Sequence, residues 1–203
     1  MYYAVAKGHK IGIFNTWIEC KNAVNNYKYA KYRKFSTHEE AQQFLEENKV
    51  QINLESHVDY YVYTDGSCLS NGKLNSTAGI GIYFGKDDPR NMSKKLEGKQ
   101  TNNTAELTAI IETYKIIEAD IIANKNITIV SDSRYAILCA TSYGKKCSKN
   151  NFIDIPNSNL VKTLYNLYND KINVKFMHVM AHTNSSDIHS IGNKYADMLA
   201  NNK

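Results

Sequence analysis

Four acidic residues, Asp65, Glu106, Asp132 and Asp197, stand at places from which a folded sheet could gather their carboxylates. Carboxylates that converge repel one another unless a cation sits among them, and an all-oxygen ligand set selects a hard divalent ion. Mg²⁺ held by a few carboxylates together with substrate phosphate is the usual arrangement for phosphoryl transfer. Two such ions, about 4 Å apart, activate a water on one side and stabilise the leaving oxygen on the other. That chemistry needs no nucleophilic side chain, and the chain has no Walker loop, HExxH or GxSxG elbow. Each acid also has an ordinary reading. Asp65 suits a turn, Glu106 a capping box with Asn103, Asp132 a helix cap, and Asp197 a solvated helix face one turn from Asn193. It is the conjunction of the four that favours a metal site.

The elements that would carry them are readable from pattern. Val58, Tyr60, Val62 and Thr64 alternate as in a strand, which Asp65-Gly66 is expected to end, delivering the acid at the strand's C-terminus. In TNNTAELTAIIETYKII the residues Leu107, Ile110, Ile111, Tyr114 and Ile117 recur at helical spacing, with Glu106 in the first turn beside this stripe. Asp132 follows the apolar strand ITIV, and Asp197 lies in GNKYADMLA. From Tyr60 onward the predicted order is strand, strand, strand, helix, strand, helix, helix, strand, helix, which makes a mixed sheet with helices against it. The N-terminal residues read as a separate unit: strands in MYYAVAKG, IGIFN and YAKYRKF, a helix from Thr16 to Asn25, and a second from Thr37 to Glu46 opened by the capping box Thr37-x-x-Glu40. The polar ENKVQINLESHVD predicts a short linker. The expected divisions are therefore 1–46, 47–57 and 58–203.

With 203 residues and 42% hydrophobic content the chain can build a core for one domain or two. No apolar run reaches bilayer length and MYYAVAKGHK lacks a signal-peptide core, so the expectation is an intracellular, cytoplasmic protein with no membrane association. No obligate protein partner is implied. Cys20, Cys68, Cys139 and Cys147 form no CxxC pair and read as reduced thiols. The net charge of +5 is concentrated: residues 1–35 hold Lys7, Lys10, Lys21, Lys28, Lys31, Arg33 and Lys34 against Glu19 alone. Such a field suits phosphates, and a solvated basic face would look similar.

TDGSC, TNNTAEL, VSDSRYAI and AHTNSSDIHSIGNKYAD resemble, in order, the signature segments of type 1 ribonuclease H, over residues 58 to 201. The resemblance implies an α/β fold of the ribonuclease H-like kind, a five-stranded mixed sheet of order 3-2-1-4-5 flanked by helices. It implies endonucleolytic cleavage of the RNA strand of RNA–DNA hybrids, leaving 5′-phosphate and 3′-hydroxyl ends. On that likeness Asp65 bridges two Mg²⁺ ions, with Mn²⁺ as an alternative, Asp197 helps hold the water-activating ion, and Glu106 with Asp132 holds the other. His182 matches a mobile-loop histidine that assists proton movement or product release; otherwise it is a surface loop residue. His178 reads as structural and His189 has no assigned role. Ser67, Cys68, Asn102 and Asn103 match minor-groove contacts to ribose hydroxyls, with Glu106 nearby, although Asn102 and Asn103 also suit capping. Lys99, Thr101 and Asn157 match a pocket for a DNA-strand phosphate. The basic handle of some members is shortened here to SYGKKCSKNNF, with Lys145, Lys146 and Lys149, which should weaken duplex binding unless the N-terminal unit compensates.

That unit, YYAVAKGHKIGIFNTWIECKNAV followed by YRKFSTHEEA, is similar to the small α+β hybrid-binding domain found ahead of many cellular ribonucleases H and in some viral proteins. The likeness puts Tyr3, Trp17, Tyr32, Arg33 and Lys34 on hybrid-contacting positions and makes Phe14 and Phe35 structural. Rings can stack on sugars or bases while cations take phosphates; the same rings could equally be core. A clamp tethered to a nuclease would raise the local concentration of duplex. Two rival readings are a non-catalytic binding protein, against which all four acids speak, and a nuclease for DNA junctions, against which TNNTAE, the histidine loop and the N-terminal unit speak.

Overall fold

The computed structural model describes the backbone of residues 1–181 and 186–202, and the side chains of these residues outside 49–56. The chain divides into two units, Met1–His57 and Val58–Lys203.

In the first unit β1 (Tyr2–Lys7) lies between β2 (Gly12–Phe14) and β3 (Lys31–Phe35), both antiparallel to it. Side chains alternate across the sheet, so register decides which residues share a face. Tyr3 pairs with Phe14 and Lys34, and Val5 with Tyr32; this face meets α1 (Trp17–Val24) through Val5, Cys20 and Ala23. Tyr2 pairs with Phe35 and Ala4 with Arg33, and their face meets α2 (His38–Ser56), where Tyr2 touches His38 and Phe35 touches Phe44. The predicted capping box of Thr37 with Glu40 forms, and the structure adds a second, of Thr16 with Glu19, at the start of α1. The structure departs from the expected linker at 47–57, because α2 continues to Ser56. Nothing in ENKVQINLES breaks a helix, as neither Gly nor Pro occurs there, and Gln42–Glu46 and Gln43–Glu47 side-chain bonds carry the helix past Glu46.

The second unit holds a sheet of order β6-β5-β4-β7-β8, formed by β4 (Tyr60–Leu69), β5 (Thr77–Tyr83), β6 (Met92–Lys95), β7 (Ile127–Ser131) and β8 (Val174–His178). The first three run antiparallel and β4, β7 and β8 parallel, which is the mixed sheet expected. Between and after them come α3 (Asn102–Ile122), α4 (Arg134–Ala140), α5 (Ser142–Ser148), α6 (Ser158–Tyr168) and α7 (Ile188–Asn201). Leu107, Ile110 and Ile117 of α3 and Val161 and Leu164 of α6 share one core with Val62, Ile82 and Ile129 of the sheet. Tyr63 and Val130 point the other way, against Ala196 of α7. Because both faces of β7 are covered, all five of its residues are buried.

Two further expectations are corrected. Asp65-Gly66 does not end its strand: the parallel ladder with β7 stops at Thr64–Ser131, but the antiparallel ladder with β5 continues through Asp65–Gly81 to Leu69–Thr77. And three helices, not two, separate β7 from β8. The Lys-rich SYGKKCS forms α5, seated by Cys147 and by Gly144, where a Cβ would overlap the Cys139 carbonyl oxygen. No helix among the described residues is long and apolar enough to cross a membrane.

Candidate active site

Gly66 sets the distance between β4 and α3. A Cβ on it would overlap the backbone of Ala105 and Glu106, reaching 2.7 Å from Glu106 Cα, so only glycine lets the helix lie against the strand one residue past Asp65. Gly81 and Gly192 do the same for α7: a Cβ on the first would overlap the Ala196 carbonyl and sit 2.6 Å from Ala200 N, and one on the second would enter the Tyr63 ring. These contacts deliver the acids. Asp65 is only 6% exposed. Asp65, Glu106 and Asp132 each offer an oxygen, and the three lie within 4.8 Å of one another. Asp197 stands outside that tight group but borders the same cleft, together with Ser67, Cys68, Asn102, Ala181 and Asn201.

The ordinary readings fail for particular reasons. The capping box of α3 belongs to Thr101 and Thr104, so Glu106 is not its capping partner and lies two residues further into the helix than expected. Ser133 caps α4, which leaves the Asp132 carboxylate available, and Asp65 lies within a strand.

Burial raises the proton affinity of Glu106 well above the ordinary carboxylate range, and the neighbouring Asp65 and Asp132 charges raise it further against the Gly66 N–H, which lowers it. Its Oε2 is buried and has no hydrogen-bond partner among the described residues. A buried carboxylate oxygen in that state calls for a proton or a cation. The donor set is oxygen throughout, which fits Mg²⁺ or Mn²⁺ and not a thiophilic ion. A stability consequence follows in the absence of metal. A carboxyl whose folded pKa is raised stabilises the fold below its unfolded value, and that stability is lost as pH rises through the folded value. Glu106→Gln, which cannot ionise, is therefore expected to melt above the parent at neutral pH without metal, and the gap should close as pH falls into the ordinary carboxylate range. A melt series over pH checks this; a lower melting point for the variant at neutral pH would count against the crowded site.

The remaining expected residues divide. Thr101 is the N-cap of α3, Lys99 lends its carbonyl to Thr104 Oγ1 at 2.6 Å, and Asn103 is exposed on the first turn. Asn157 has a left-handed backbone at the start of α6. His182 lies outside the described residues. His178 donates from Nε2 to the Asp132 carbonyl at 3.1 Å, in keeping with a structural role, and His189 packs on Tyr61 and bonds Tyr63. Three residues escaped sequence reading. Gln100 holds the Lys99–Thr101 segment by bonds to Ala78 N, Leu96 O and Gly98 O, while Asn193 and Asn201 donate to the carboxylates of Asp132 and Asp197. The amides could have been found by their spacing, four residues either side of Asp197.

In the first unit Tyr3, Trp17 and Tyr32 form a continuous ledge, with ring centroids 5.8 Å and 6.0 Å apart and Lys34 over Tyr3. Trp17 is 46% exposed, so it is not the core residue that its type suggests. Arg33 is not on the ledge: its register places it on the α2 face, with its guanidinium over Phe35.

A family model described as RNase H matches residues 57–203, and one described as Ribonuclease H1 N-terminal domain matches residues 1–45. The ribonuclease H of Schizosaccharomyces pombe is 33% identical, the match covering 98% of this chain and 95% of that protein. Human ribonuclease H1 is 27% identical over 98% of this chain and 88% of its own length. The solution structure of the PFV RNase H domain superposes with a TM-score of 0.58 at 22% identity, covering 72% of this chain and 94% of that one, a likeness of fold.

Proposed function

Since the chain belongs to the ribonuclease H family, we propose that it hydrolyses the RNA strand of RNA–DNA hybrids at the cleft where Asp65, Glu106, Asp132 and Asp197 meet. The observation that carries this reading is the convergence of three carboxylates, one of which, Glu106, has a buried oxygen with no hydrogen-bond partner among the described residues. Two Mg²⁺ ions, or Mn²⁺, when bound there would supply the charge that activates water and stabilises the leaving 3′-oxygen, giving 5′-phosphate and 3′-hydroxyl ends. On the family resemblance Asp65 would hold both ions, Glu106 and Asp132 one, and Asp197 the ion on the water side. His182 keeps its assignment to proton movement or product release.

The rest of the cleft selects the strand. Ser67, Cys68 and Asn102 line it beside the acids, where a ribose 2′-hydroxyl would reach them, and Asn103 extends the same helix start. Lys99 and Thr101, held by Gln100, are proposed to take a phosphate of the DNA strand, with Asn157 as a more distant contributor. Residues 1–46 are proposed as the hybrid-binding domain and 58–203 as the nuclease. The ledge of Tyr3, Trp17 and Tyr32 stacks against the duplex while Lys34 meets phosphate; Arg33 acts from the other face, through its charge.

Incubation of the chain with RNA–DNA, RNA–RNA and DNA–DNA duplexes, with and without Mg²⁺, tests the assignment. Cleavage confined to the RNA strand of the hybrid, with 5′-phosphate fragments, is expected. Equal cutting of either homoduplex, or 3′-phosphate ends, would contradict it. Trp17→Ala should weaken hybrid binding roughly tenfold, the loss of one stacking contact of about 1–3 kcal/mol, with Mg²⁺-dependent cutting at saturating hybrid retained. Parental affinity in a binding titration at fixed salt would remove Trp17 from the interface.

A further inference from the structure

Asn193, Asp197 and Asn201 succeed one another at four-residue intervals along α7 and therefore share a face. Asn193, only 5% exposed, donates from Nδ2 to Asp132 Oδ2 at 2.9 Å. Asn201 donates from Nδ2 to Asp197 Oδ1 at 2.7 Å, and its Oδ1 accepts from Ser67 Oγ. One helix thus hands a neutral amide donor to each of two carboxylates and ties the second of them to β4 two residues beyond Asp65. The chemistry of the donor matters. A lysine or arginine in the same place would orient the carboxylate equally well, but its charge would compete with any divalent ion for the same oxygens. An amide orients without neutralising.

We propose that Asn201, seconded by Asn193, is a positioning residue that fixes Asp197 and Asp132 while leaving their negative charge to the metal ions. The inference rests on the metal-site reading above. It is testable at Asn201 because the last turn of α7 has a separate anchor: Ser93 Oγ bonds the carbonyls of Leu199 and Asn202 at 2.7 Å and 2.9 Å, so the helix end stays in place when the amide is changed.

The experiment compares the parent with Asn201→Lys and Asn201→Ala, recording the rise in melting temperature on adding Mg²⁺ and the Mg²⁺ concentration for half-maximal hybrid cleavage. Asn201→Lys is expected to raise that concentration about tenfold, the effect of one ion-pair-sized interaction, and to shrink the Mg²⁺-induced thermal shift. Asn201→Ala, which loses orientation without adding charge, is expected to lower kcat several-fold and to move the Mg²⁺ requirement by less than about threefold. The proposal is overturned if Asn201→Lys keeps the parental Mg²⁺ requirement and thermal shift, or if Asn201→Ala keeps the parental kcat. A parent with no Mg²⁺-induced shift and no Mg²⁺ dependence would instead bring down the metal-site reading itself, and this proposal with it.

Discussion

Asp65→Asn is expected to reduce cleavage of the RNA strand by on the order of 1000-fold or more, roughly 4 kcal/mol of transition-state stabilisation, while hybrid affinity stays within about twofold of the parent. The two halves of that expectation have separate causes. Asparagine preserves the shape of the aspartate but removes the charge with which the buried side chain, 6% exposed, would hold cations beside Glu106 and Asp132. Duplex affinity, on the proposed reading, comes from phosphate contacts of basic side chains and stacking on aromatic ones, and the substitution leaves those untouched. Thinning the crowd of carboxylates also relieves repulsion, so the metal-free variant should melt no lower than the parent. A single-turnover cleavage assay with a parallel binding titration decides the matter. Retained cutting, or lost binding, would show that Asp65 has another role.

Gly66→Ala is expected to damage fold and chemistry together. The added Cβ would overlap the α3 backbone at Ala105 and Glu106, and backbone cannot rotate aside as a side chain can, so helix and strand must part. Overpacking of this kind costs about 3 kcal/mol, and the catalytic unit's melting temperature should fall by roughly 6–12 °C. Glu106 would move with its helix, and for the metal-holding role proposed for it a displacement of about 1 Å would cost on the order of 100-fold in rate. Gly72 is the useful contrast, because a Cβ there meets nothing within 4 Å and alanine would suffer only the strain of its left-handed backbone, φ +82°. Gly72→Ala should therefore lose about 1 kcal/mol and little activity. If Gly66→Ala melted and cut like the parent, the close approach of α3 would not be what brings Glu106 to Asp65.

The acids themselves were legible because residue type and flanking pattern both speak for them: ITIV before Asp132, and the apolar stripe of Leu107, Ile110 and Ile117 that turns α3 onto the sheet. What pattern could not convey is contact across the chain. Asp65-Gly66 looks locally like a turn, and the glycine's purpose becomes visible only when Ala105 and Glu106 arrive from forty residues away. Asn193 and Asn201 look like surface polar residues of a helix until Asp132 and Ser67 are placed opposite them. In the N-terminal unit Trp17 suggested core by its type, whereas the capped start of α1 turns it outward beside Tyr3 and Tyr32. The extension of α2 to Ser56 was hidden by weak periodicity, since helix formation there depends on the absence of breakers and on neighbouring side-chain bonds. Arg33 shows the same limit: adjacent residues of a strand face opposite ways, so its closeness in sequence to Lys34 says nothing about a shared surface.

The claim that the carboxylates of Asp65, Glu106, Asp132 and Asp197 form a site for divalent ions that drives cleavage is tested most directly by a Mg²⁺ titration of hybrid cutting from a chelated start. With the RNA strand labelled, the expected result is no cleavage in excess chelator and full recovery as free Mg²⁺ is restored. Undiminished RNA cleavage in excess chelator would contradict it.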